Sequence, residues 1–220
     1  TNAALKDVEL LGSWNGVAAV QAGRHYIARV YGQPLNIGVF VDEIYDIGRI
    51  ENVHFVPWFS QAAPLIYHQT MHGRGFVFAR SDWEYVLNTF CYGYSIGYHF
   101  ISRASGGMNG NFLGIGADAS TNASVFVEKA HPYGILITNA EFTAFCDQGL
   151  AVSGHPVRFC QPGDPTVVPV HLRVLEQNQG AVKFVDSSFW GPSHAVAVTE
   201  GIGTVSLIGC HFENWDNQLK

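Results

Sequence analysis

Two aspartates carry the sharpest chemical suggestion in this chain. Asp46 lies six residues before Asn52, and Asp82 lies six residues before Asn88. If the segments around these asparagines stack in register as neighbouring strands, the two carboxylates come within one strand spacing, about 5 Å. Like charges that close raise the pKa of one partner, so that an acid and a base coexist at neutral pH. A spacing of about 5 Å also suits the carboxylate pair of a retaining glycosidase. Glu84 is a third candidate acid, while Tyr45, Trp58 and Trp83 offer aromatic faces to sugar rings. Arg80 and His54 complete the candidate substrate-binding set. The bland alternative is a pair of solvated turn acids matched by Arg49 or Arg80. A calcium ion bridging oxygen ligands from the two turns is a third reading.

These residues depend for their positions on an internal repeat. Eight short segments share one apolar register at about 23 to 26 residues or multiples of it, anchored on Gly12, Arg29, Asn52, Asn88, Gly114, Asn139, Asp186 and Gly209. An apolar residue stands two before each anchor, and Phe55, Phe142, Phe189 and Phe212 stand three after four of them. Repeats of this period in a Gly-rich, strand-prone chain predict a solenoid. Asn, Asp and Gly tolerate the left-handed backbone of a tight corner, and stacked Asn side chains hydrogen-bond to one another. Asn52 and Asn88 are expected to form such a pair, whereas Arg29 departs from this chemistry. A second strand precedes each anchored one, as in Gly38-Val-Phe-Val-Asp42 and Gly75-Phe-Val-Phe-Ala79. Period-two alternation turns Val39, Val41, Phe76, Phe78, Tyr98, Phe100, Val125 and Val127 toward one core. Phe40, Val77, His99 and Phe126 then face outward, against a loop or a second copy of the chain, or as the aromatic lining of a carbohydrate groove. No segment shows a capped, striped helix. Residues 102–111 and 154–170 read as loops.

Composition narrows the field. Of the 220 residues, 47% are apolar and only 14% charged, with 15 Phe, nine Tyr and five Trp, which favours buried strands. The formal charge of −6 and the lack of a basic run exclude recognition of nucleic acid through its phosphates. No apolar stretch reaches the length of a membrane span. The chain opens on Thr1 without a charged-then-apolar leader, which reads as a processed, excised or truncated chain. Four cysteines lack metal spacing: Cys91 and Cys210 read as small apolar strand residues, and Cys146 and Cys160 flank a loop that a disulfide is able to close.

The coil length, the Asn-type corners and the run Tyr45-Asp-Ile-Gly-Arg-Ile-Glu-Asn-Val-His-Phe-Val-Pro-Trp58 resemble the pectin-lyase-like right-handed parallel β-helix superfamily, in particular its polygalacturonase-related and pectate-lyase-type members. The resemblance implies hydrolases, lyases or epimerases of polysaccharides, or trimeric tailspike proteins. The chain departs from the specific motifs: Asn88-Thr89-Phe90 lacks the acid of an Asn-Thr-Asp, no Asp-Asp occurs, and Gly154-His155-Pro156 half matches a Gly-His-Gly. The expected architecture is therefore an all-β, right-handed parallel β-helix of about seven to nine coils, forming one domain over residues 1–220 or part of a longer solenoid. The expected function is a secreted or surface protein that cleaves a polysaccharide in a shallow groove. The alternative is a non-catalytic carbohydrate-binding, adhesin or tailspike-like module. The expected partners are a polysaccharide or oligosaccharide and further copies of the chain in a dimer or trimer, with neither nucleic acid nor a membrane span. No metal or cofactor is expected, calcium being the one alternative.

Overall fold

The computed structural model describes residues 1–144, 150–152, 155–157, 169–191, 194–198 and 201–213. Over these residues the chain passes repeatedly between two parallel sheets. The larger takes β1 (Ala4–Leu10), β3 (Tyr26–Gly32), β5 (Arg49–Phe55), β7 (Glu84–Tyr92), β9 (Gly110–Leu113), β10 (Gly116–Ser120), β12 (Ile135–Thr138), β13 (Glu141–Ala144), β17 (Val182–Val185), β18 (Ser188–Trp190), β20 (Val205–Ile208) and β21 (His211–Glu213). The smaller takes β2 (Asn15–Val20), β4 (Ile37–Asp42), β6 (Arg74–Phe78), β8 (Ile96–Phe100), β11 (Ala123–Val127), β16 (Val170–Val174) and β19 (His194–Val198). β14 (Leu150–Val152) and β15 (His155–Val157) form a separate antiparallel pair.

This replaces the expected all-β, right-handed parallel β-helix of seven to nine coils. The protein is mostly β, with 54% strand and 6% helix, but its two sheets form a half-barrel of α/β character. They are unequal, with twelve and seven strands, and the larger one branches. The branch is at β7, which pairs with β9 through Glu84–Leu87 and with β10 through Phe90–Tyr92. A helix, α1 (Ala63–His72), stands between β5 and β6 where no helix was expected. It escapes pattern reading because it buries only Ile66, Gln69 and Thr70, which make no apolar stripe, and its N-cap Ala62 makes no side-chain capping hydrogen bond to signal a start.

The repeat register survives as strand pairing. Leu5, Ile27, Ile50, Val86, Phe112, Ile137, Phe184 and Leu207 are partners in succession across the larger sheet. The first anchor is corrected from Gly12 to Asp7, since Leu5 rather than Leu10 pairs with Ile27. With that change the corner residues are Asp7, Arg29, Asn52, Asn88, Gly114, Asn139, Asp186 and Gly209, and all eight have positive φ, between 48° and 63°. Arg29 fits its corner through Asp7, to which its Nε and Nη2 donate at 2.5 and 2.8 Å. Up to Asn88 the left-handed residue lies inside a strand; from Gly114 onward it separates two strands, and this divides the sheet.

The core lies between the sheets. Val39, Val41, Phe76, Phe78, Tyr98, Phe100, Val125 and Val127 are all fully buried, as their alternation predicts. Phe76 stacks on Tyr98 at 4.8 Å, and Phe78 on Phe100 at 5.5 Å, within the smaller sheet. Phe112 of the larger sheet meets Phe78 and Phe100 edge-on. On the outer face of the smaller sheet, Val77 and His99 are buried, and the His99 ring stacks on Phe126 at 4.9 Å. Cys91 packs in the core, where burial pushes its thiol pKa far up. Cys146 and Cys160 lie outside the described residues. Among the described residues no helix is long and apolar enough to cross a membrane.

Candidate functional site

The turns that lead into the larger sheet form the site. Five residues before four of the eight corners, a second run of left-handed backbone recurs, at Arg24 (φ 58°), Ile47 (38°), Trp83 (61°) and Gly134 (78°). A bulky residue in this region is strained, and such strain concentrates at functional positions. The double bend turns the preceding residues outward, and there Tyr45, Asp46, Ile47, Arg80, Asp82, Trp83, Asn109, His131 and Tyr133 line an open cleft of about 470 Å3.

The two proposed carboxylates, Asp46 and Asp82, both lie in this cleft. They sit in adjacent turns: Ile47 donates its backbone N–H to the Asp82 carbonyl at 3.1 Å, and Ile44 bridges to Ser81. Each carboxylate faces a guanidinium. Asp46 pairs with Arg24 rather than with Arg49, and Asp82 pairs with Arg80 at 2.8 Å. Asp82 also receives the Asn109 amide at 3.4 Å. The Arg80 guanidinium lies over the Tyr45 ring at 5.6 Å, so Arg80 bridges a carboxylate and an aromatic face. Around these charges Tyr45, Trp83 and Tyr133 expose 61%, 58% and 81% of their surface, an unusual concentration of open rings.

The remaining candidates lie elsewhere. Glu84 is fully buried and lines no part of the cleft. Its Oε1 lies 2.9 Å from His25 Nε2, and its Oε2 accepts the Ser81 hydroxyl at 2.5 Å. A Cβ at Gly48 would collide with both Glu84 and His25, so the polar cluster is packed shut. These contacts tie the turn that carries Asp82 and Trp83 to the neighbouring turn at His25. Trp58 is exposed but lies past the other end of β5, in the turn capped by Gln61. His54 sits edge-on to Phe90 at 5.0 Å in a separate recess with Arg29 and Tyr31, where burial lowers its pKa. Neither reaches the cleft. Among the described residues no three His, Cys, Asp or Glu side chains converge as metal ligands.

Besides Ile47, three cleft residues with polar or aromatic side chains went unread in the sequence: Asn109, His131 and Tyr133. Tyr133 had a signal, because it stands six before Asn139 just as Asp46 and Asp82 stand six before their corners. Asn109 stands five before Gly114, matching Trp83, whose backbone N–H it accepts at 3.2 Å. His131 Nδ1 accepts the Tyr133 backbone N–H at 3.2 Å, which leaves Nε2 as the donor available to a ligand. The cleft is thus open, ringed by aromatic faces and furnished with two carboxylates, an amide, a guanidinium and an imidazole. No protein-family model, curated protein or solved structure matches this chain, so the reading of the site rests on its own geometry.

Proposed function

We propose that the protein binds a polysaccharide or oligosaccharide in this cleft, as a secreted or surface protein. The observation that carries the reading is the ring of exposed Tyr45, Trp83 and Tyr133 around Asp46, Asp82 and Asn109. Aromatic faces stack on the apolar faces of sugar rings, while carboxylates and amides hydrogen-bond to their hydroxyls. An open cleft, rather than an enclosed pocket, admits a chain along its length. The test is binding of the parent protein and Trp83→Ala to a broad panel of oligosaccharides. A loss of about tenfold or more in affinity is expected on removing the ring. Equal affinities would remove the aromatic platform from the reading.

Cleavage of the bound chain is the second reading, favoured by two carboxylates sharing one cleft. In that case Asp46→Asn and Asp82→Asn each abolish cleavage and leave folding and binding intact. If the parent protein cleaves no member of the panel, binding stands without catalysis. The pairing of each carboxylate with an arginine favours binding over acid–base chemistry, because the acid–base reading depends on the two carboxylates acting on each other.

A further inference from the structure

We infer that the groove has a second lobe built for an anionic sugar, so that the ligand is a mixed glycan carrying a carboxylate- or sulfate-bearing unit beside a neutral one. This rests on the carbohydrate reading above. Beyond Trp83, Asn109 and Tyr133, which belong to both lobes, a cleft of about 560 Å3 continues over β9, β12 and β17 as far as Lys183. The two lobes differ in charge. In the first, both carboxylates are already met by guanidinium groups, which leaves a polar surface of balanced sign. No carboxylate lines the second. Its one charged group is Lys183, exposed on β17 between Leu136 and Ser206, and no carboxylate among the described residues forms an ion pair with it.

An unmatched ammonium beside apolar walls (Ile135, Leu136 and Ala181 here) attracts an anion more strongly than the same group in open water. The amides of Asn109 and Asn111 supply hydrogen bonds for hydroxyls alongside it. Gly134 lets the floor of this lobe close up, because its left-handed backbone lies so close to the Ala181 backbone that a Cβ would collide there. From the turn before β5 to β17 the groove crosses four strand steps, about 19 Å, long enough for several units of a chain lying across the strands.

The experiment titrates the parent protein, Lys183→Gln and Trp83→Ala with hexasaccharides of two kinds, at low and at moderate salt. The acidic probes are hyaluronan, chondroitin sulfate and oligogalacturonate; the neutral ones are chitohexaose, cellohexaose and mannohexaose. At least one acidic probe is expected to bind the parent protein more tightly than every neutral one. Lys183→Gln is expected to weaken that probe about fivefold and to flatten its salt dependence. The neutral probes should not notice the change, and Lys183→Arg should restore acidic binding. Unchanged acidic affinity in Lys183→Gln, or equal affinity of the parent for both kinds, overturns the inference while the carbohydrate reading stands on the loss in Trp83→Ala. Failure of every probe to bind overturns both.

Discussion

Asn88 donates its side-chain amide to Asn52 Oδ1 across 2.7 Å, and the two backbones are both left-handed, at φ 49° and 54°. Two contributions are therefore superposed at one corner: tolerance of an unusual backbone and a hydrogen bond between neighbouring strands. They separate by substitution. Asn88→Ala loses the bond and places a Cβ-bearing residue without local polar compensation in the left-handed region, for a cost of about 1–2 kcal/mol. Asn88→Gly loses only the bond and relaxes the backbone, for about 0.5–1 kcal/mol or less. Urea midpoints of the two variants should differ in that order. Equal midpoints would mean that the corner conformation carries no part of the cost.

This corner also shows how far the sequence could be read. The columns through Asn52 and Asn88, and through Ile50 and Val86, were legible because stacking imposes one residue type at one spacing. The Asp46 and Asp82 positions followed from them. Gly12 was misplaced because glycine suits any turn, whereas Asp7 earns its corner only through Arg29, a partner 22 residues away. The strand topology was not legible, since the division of β7 between β9 and β10 depends on where Gly114 interrupts hydrogen bonding, which periodicity does not record. The burial of Glu84 was not legible for a related reason. Its neighbours in sequence are exposed, but His25, which engages it, lies 59 residues earlier.

Trp83 holds a left-handed backbone while exposing 58% of its surface, so it gains little from burial in return for its strain. Trp83→Gly should therefore leave the protein as stable as before or more stable by up to about 1 kcal/mol, while abolishing oligosaccharide binding. Thermal unfolding and glycan titration on the same sample check this. A loss of stability above about 2 kcal/mol would instead make Trp83 a packing residue.

Glu84 and Gly48 test the tie between these turns. Glu84→Gln weakens the contacts to His25 and Ser81 and should destabilise the fold by about 1–3 kcal/mol. Gly48→Ala forces a methyl into the same atoms and should cost more, about 3 kcal/mol or above. In material that remains folded, Glu84→Gln should bind oligosaccharide within about twofold of the parent. A selective loss of binding or cleavage with unchanged stability would return Glu84 to the site.

Asp118 on β10 supplies the dependence on pH. Burial pushes its carboxyl pKa above the usual range, against the opposing pull of the Ala119 backbone N–H and the Thr143 side chain. A carboxyl whose folded pKa is raised keeps its proton in the native state after the unfolded chain has released it. Stability therefore falls as pH rises from the unfolded value of about 3.9 through the raised folded value, and the full penalty applies above it. Asp118→Asn removes the charge, so it should be more stable than the parent at pH 7 and lose that advantage toward pH 3. Urea unfolding at both pH values reads the difference directly. An advantage of equal size at the two values would show that the substitution acts through packing rather than through the proton.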